Sequence, residues 1–207
     1  MDTAPICGNC FVKSFSENIA VVTIDFGMKV TQTTLPGVLL LEPSVFTDSR
    51  GFFLESYNKQ TMAKLGIVDE FVQDNHSFSA RNVLRGLHYQ IRRAQGKLVR
   101  VVSGEIFDVA VDLRRSSPTF GRWLGEMLSG KNKCMLWIPP GFAHGFVVAS
   151  EDAHVLYKAS DYYDAASERT LAWNDPDLKI EWRLQAPPIV SEKDKRGVPF
   201  RSAEAFD

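Results

Sequence analysis

The sequence predicts an all-β domain, a sandwich or barrel with a few short helices. Three observations lead there. In GEIFDVAVDLR, Phe107, Val109, Val111 and Leu113 fall on one face while Asp108 and Asp112 stay off it, which is the two-residue period of a strand. Strand-like pieces recur at close spacing with turn residues between them, as in sandwiches and barrels. Only one segment reads as a helix, from about Lys59 to Leu65, where Asn58 can accept a backbone hydrogen bond at the start and Gly66 suits a left-handed stop.

Taken in order, Met28 opens MKVTQTTLPGVLLLEP, which reads like a protein start followed by a strand, whereas residues 1–27 form an extension without clear periodicity. In VFTDSRGFFLES, Asp48, Ser49 and Gly51 turn the chain between two strand-like pieces. Beyond the helix, KLVRVV is a strand that Ser103 and Gly104 turn into GEIFDVAVDLR. Further strands are expected at Arg122 to Leu128, Lys133 to Ile138, Gly145 to Val148 and His154 to Ala159. Phe107, Val109 and Val111 are core positions. The polar, proline-bearing tail after Trp182 is expected to cross the body as an irregular segment, and residues 28–207 form one domain.

Composition narrows the function. With 44% apolar residues, 24% charged residues and a formal net charge of -1, there is no basic field to hold a polyanion, so nucleic acid is not an expected partner. The apolar runs Ile19 to Ile24 and Val38 to Leu41 fall far short of the roughly 20 residues that cross a bilayer. Met1 to Cys10 lacks the basic start of a signal peptide. These features place the chain in the cytoplasm with no membrane partner. Cys7 and Cys10 make a Cys-x-x-Cys pair with no second pair or histidines beside it, so chance spacing is the reading for them.

Two of the four histidines stand among glycines and small residues, His88 in RGLHYQ and His144 in PPGFAHGF. The run Pro139, Gly141, His144 resembles the second half-motif of the cupins, small jelly-roll barrels in which this histidine lies inside. Metal-binding cupins carry two histidines one residue apart in the first half-motif, because alternate strand residues point the same way and can grip one ion. Here His88 is followed by Gln90. No metal is therefore expected, and the histidines are available for acid–base work.

A longer resemblance is more specific. The strings VFTDSRGFFLES, FVQDNHSFSARNVLRGLHYQ, QGKLVRVVSGEIFDVAVDLR, LWIPPGFAHGFVV and LYKASDYY resemble, in collinear order from about Val38 to Asp194, the dTDP-4-dehydrorhamnose 3,5-epimerase family. The resemblance implies a cupin-like jelly roll, a homodimer, no cofactor, and a dTDP-4-keto-6-deoxyhexose as substrate. A hydrogen beside a ketone is only weakly acidic, so its removal needs a base and a positive group near the carbonyl oxygen. Inversion then needs an acid on the opposite face.

The resemblance assigns these roles to residues. His88 is the base, and an imidazole with its usual pKa of about 6.5 suits the task. Asp194 would orient that base and stabilise its imidazolium. Tyr157 is the acid, since a phenol with pKa of about 10 keeps its proton at neutral pH. Lys97 would stabilise the enolate. Substrate binding falls to Arg50, Glu55, Gln73, Asp74, Asn75, Arg85, His144, Tyr162, Glu168 and Lys193 together with Lys97, and Phe52 or Phe53 would stack on the thymine. Without the resemblance each has a plainer reading: Asp194 in EKDKR is a solvated acid, Lys97 an outward strand position and Tyr157 a half-buried aromatic. His76 and His154 read as structural or surface residues. Three alternatives stay open: an epimerase acting at one carbon, a non-catalytic sugar-nucleotide-binding cupin, and a metal-dependent cupin enzyme.

Overall fold

Strands form along the β-branched and aromatic runs, and turns fall at glycine and asparagine. The computed structural model describes residues 27–207 and the backbone of Val21–Ile24, so the Cys7 and Cys10 pair and most of the N-terminal extension lie outside the described residues. In chain order the strands are β1 (Val21–Ile24), β2 (Met28–Gln32), β3 (Leu39–Pro43), β4 (Val45–Asp48), β5 (Gly51–Leu54), β6 (Gln73–Ala80) and β7 (Val83–Gln90). They continue with β8 (Lys97–Asp112), β9 (Trp123–Ser129), β10 (Met135–Ile138), β11 (Phe142–Ala159), β12 (Glu168–Thr170) and β13 (Ile189–Val190). Helix α1 (Lys59–Lys64) starts where Asn58 Oδ1 accepts from the Gln60 and Thr61 amides at 2.9 and 3.3 Å, and Gly66 at φ +84° ends it.

The main sheet runs β1-β2-β3-β10-β8-β11-β7-β12, with β9 added to β8, β6 to β11 and β13 to β7. Strand β8 pairs through its first residues with β10 and through its last with β9, and this change of partner folds the sheet into a jelly roll. Ile106, Ala110, Leu128, Leu136, Phe146 and Val155 fill the interior. The other face of β8, with Phe107, Val109 and Val111, and Leu113 just beyond the strand, packs on Leu171, Leu178 and Trp182, with Val190, Phe200 and Phe206 of the tail against the same cluster. Each such burial contributes about 1.5–3 kcal/mol before entropy is counted. The expected core face is thus the outer face of the barrel wall, covered by the tail.

Several local expectations need correction. Ser103 and Gly104 do not separate two strands, because β8 runs through them. Gly104 has φ +80°, and a Cβ there would sit 2.0 Å from Asp152 O, so the strand can bend only with glycine at this point. The segments at Gly145 and His154 belong to one strand, β11, whose register slips between Val148 and Ala153. Lys133 lies in a turn at φ +59° rather than in β10, where Asn132 Oδ1 accepts from the Ser129 and Cys134 amides at 3.0 Å. Val21–Ile24, expected to lack periodicity, pairs antiparallel with β2.

Asp108 and Asp112 stand off the Phe107 face, and both are fully buried. Asp112 accepts from Arg114 Nε at 2.9 Å and from the Ser117 and Thr119 hydroxyls at 2.6 Å each. Burial by itself would raise its pKa, but these donors hold it at about 2. A depressed carboxylate stabilises the fold above its unfolded pKa and loses that contribution as pH falls through the folded value. Asp112→Asn is expected to cost about 2 kcal/mol at pH 7. In urea titrations the gap from the parent should narrow as pH falls below about 4; a gap independent of pH would remove the charge as the cause.

Candidate active site

Strands β7 and β11 pack tightly at two glycines. A Cβ on Gly86 would lie 2.6 Å from Gly145 Cα and 2.7 Å from His144 O, and Gly86 has φ +112°. This contact sets His88 on β7 opposite His144 on β11. Each histidine has its own buried carboxylate. His88 Nε2 lies 2.5 Å from Asp194 Oδ1, and His144 Nε2 lies 2.9 Å from Asp108 Oδ2.

Asp194 arrives on a short 3₁₀ turn (Asp194–Arg196) of the tail, where its other oxygen accepts from the Gly86 amide at 3.3 Å. Burial pushes this carboxyl up, but the hydrogen bond and charge of His88, with the Gly86 amide, hold it below the usual range. It is therefore ionised at neutral pH. A carboxylate accepts, so Nε2–H of His88 donates and the ring's lone pair is left on Nδ1. His88 keeps 29% of its side chain exposed, enough for that nitrogen to meet a ligand. Asp108 orients His144 in the same way. Burial pushes the His144 pKa down, against the pull of Asp108, so this imidazole is neutral at pH 7.

Lys97, at the start of β8, is buried and donates to His88 O at 3.4 Å. Burial lowers its pKa to about 8, with Asp108 and Glu168 pulling it up and Lys193 pushing it down. It is still mostly cationic at pH 7. Tyr157 on β11 is half-buried, and burial raises its pKa against Arg85, so the phenol stays protonated. Glu168 on β12 is paired with Lys193 at 2.5 Å and accepts from Tyr163 OH at 3.0 Å. On β6, Gln73 Nε2 donates to Asn75 Oδ1 at 2.9 Å, and Asn75 stands opposite Tyr157.

The structure thus gathers His88, Lys97, His144, Tyr157, Glu168, Lys193 and Asp194 from four strands and the tail. Arg85 joins them at the rim, its Nε donating to Ser79 Oγ at 2.9 Å. Other expected residues stand apart in the single chain. Asp74 alternates with Gln73 and Asn75, faces outward and pairs with Lys158 at 2.9 Å. Arg50 is on the β4–β5 hairpin, which forms its own two-stranded sheet, and pairs with Asp48 at 2.5 Å. Glu55 follows that hairpin and accepts from Asn58 at 3.0 Å. Tyr162 stays at the edge of the site, on the loop after β11 that the Tyr163 amide joins to Gln73 Oε1 at 2.9 Å, with the Arg93 guanidinium 5.8 Å from its ring. The sequence reading missed Asp108. Its signal was the alternation itself, which puts an acid on the same strand face as Ala110, the residue opposite His144.

Among the described residues, no group of three or more His, Cys, Asp or Glu is placed to hold a metal. None of their helices is long and apolar enough to cross a membrane.

A family model described as dTDP-4-dehydrorhamnose 3,5-epimerase matches residues 32–202. The chain belongs to the dTDP-4-dehydrorhamnose 3,5-epimerase family. A relative of that name from Pseudomonas aeruginosa is 61% identical over 180 residues, covering 86% of this chain and 99% of the relative. The family's structures carry the same jelly roll. A dTDP-6-deoxy-D-glucose-3,5-epimerase from Legionella pneumophila, solved in complex with dTDP-4-keto-L-rhamnose, superposes with TM-score 0.84 at 48% identity, covering 86% of this chain and 95% of that one. A 3'-monoepimerase from Streptomyces bikiniensis, in complex with dTDP-quinovose, superposes with TM-score 0.77 at 29% identity, covering 82% of this chain and 87% of that one.

Proposed function

We propose that the chain converts dTDP-4-dehydro-6-deoxy-D-glucose to dTDP-4-dehydro-L-rhamnose by inverting carbons 3 and 5. The observation that carries this reading is the His88–Asp194 pair beside the buried Lys97 cation. His88 Nδ1 takes the proton from the carbon next to the ketone, and ionised Asp194 stabilises the imidazolium. Charge that builds on the ketone oxygen meets the buried Lys97 ammonium. The Tyr157 phenol returns a proton from the other face. One base and one acid serve both carbons in turn, because each carbon flanks the same ketone and, between the two inversions, His88 gives its proton to solvent and Tyr157 regains one.

The β4–β5 hairpin supports a homodimer in which it reaches the partner's site. Phe46, Phe52 and Phe53 on it are 65%, 57% and 70% exposed, more apolar surface than a hairpin holds to water without a partner. Arg50 and Glu55 would then reach a site in the second copy, and a phenylalanine from the hairpin could stack on the thymine. The protein acts in the cytoplasm, the compartment expected from its sequence.

Proton NMR of the substrate with the protein in heavy water tests the reaction. Loss of both the carbon-3 and carbon-5 signals, with L-rhamnose formed once a 4-keto reductase is added, is expected. Loss of one signal alone would make the protein a single-centre epimerase. Binding without exchange would leave a sugar-nucleotide-binding module.

A further inference from the structure

Gln90 is 4% exposed, and the chemistry above gives it no task. Its amide makes three hydrogen bonds, all to backbone. Nε2 donates to Arg93 O at 2.8 Å and to Tyr162 O at 3.2 Å, while Oε1 accepts from Asp164 N at 2.8 Å. One side chain at the end of β7 thereby holds two loops, residues 91–96 before β8 and residues 160–167 after β11. The loops are also joined to each other. Arg93 pairs with Asp161 at 2.7 Å, Gln95 Nε2 donates to Asp161 O at 2.7 Å, and the Gly96 amide donates to Ser160 Oγ at 2.7 Å. The frame presents Tyr162 at the rim, 56% exposed. Its neighbour Tyr163 is tied to the site by its amide, which donates to Gln73 Oε1 at 2.9 Å.

We infer that Gln90 is a positioning residue for substrate binding, fixing the 160–167 loop so that Tyr162 is held ready at the rim. The inference rests on the reading of Tyr162 as a substrate contact. Only an amide can fill the role, since it must donate twice and accept once at the same place. A carboxylate cannot donate, and a thioether leaves buried carbonyls and an amide unsatisfied, which frees the loop. A loop that must be ordered on binding weakens affinity, whereas His88, Lys97 and Tyr157 sit on strands that Gln90 does not hold through these bonds.

The test is Gln90→Met alone and in a Tyr162→Ala background. It reads calorimetric binding of dTDP-glucose, which has no ketone to react, and steady-state kinetics on the 4-keto substrate. Gln90→Met is expected to weaken dTDP-glucose binding and raise KM by about tenfold, with kcat within about threefold of the parent. In the Tyr162→Ala background the same change should add no further loss. Equal losses in both backgrounds, or a fall in kcat with KM unchanged, would overturn the inference. Tyr162→Ala that binds like the parent would instead remove Tyr162 from the site, and the inference with it. Tyr162→Ala that weakens binding while Gln90→Met does not would overturn the inference alone. Should Gln90→Met fail to fold, Asp161→Ala loosens the same loop from its exposed side. A raised KM in that variant supports the inference, and an unchanged one overturns it.

Discussion

His88→Asn is expected to lower kcat by about 10³-fold and to abolish solvent exchange at both carbons, while dTDP binding stays within a few-fold of the parent. Removing a positioned base costs more than any single binding contact, and His88 is the one imidazole near Lys97 with a free nitrogen and partial exposure. His144 cannot replace it. Its burial holds the pKa down and leaves 6% of the residue exposed. Single-turnover exchange in heavy water separates loss of the base from loss of the acid. Exchange at either carbon that survives in His88→Asn would take the base role from this residue.

Lys97→Met is expected to lower kcat by about 10²–10³-fold, the usual cost of removing a group that faces developing oxyanion charge. It should also change the pH profile. The Lys97 pKa of about 8 means the cation is lost as pH rises through that value, so kcat/KM of the parent falls on the alkaline side near pH 8. In Lys97→Met that limb should disappear, because no proton remains to be lost there. Stability moves the other way. A buried cation costs desolvation, so replacing it with an apolar chain of similar length should leave the melting temperature unchanged or raised. A variant that keeps the alkaline limb near pH 8 would show that another group sets it.

Much of the fold was legible because strand alternation and turn chemistry are local. The Phe107 to Leu113 face, the Asn58 cap and the Gly66 stop each depend on a few adjacent residues, and each stands as the sequence indicated. The same local logic misjudged Gly104, where a turn residue bends a continuous strand because Asp152 from β11 crowds the space a Cβ would need. It left the burial of Asp108 unread. An acid opposite an apolar face looks solvent-bound until a barrel closes over it, and then only a partner such as His144 makes burial tolerable.

By itself, the sequence determined the strand-rich class, the family through its collinear motifs, and the residue types able to move a proton beside a ketone. Only the tertiary structure decided which of them meet. Asp194 reaches His88 across 106 residues because the tail packs on the outer face of β8. Asp74 points away from Gln73 and Asn75 because neighbours on a strand face opposite sides. Arg50 on the β4–β5 hairpin and Glu55 just after it remain outside the single-chain site. Pairing over such distances depends on strand register and chain closure, which no local pattern encodes.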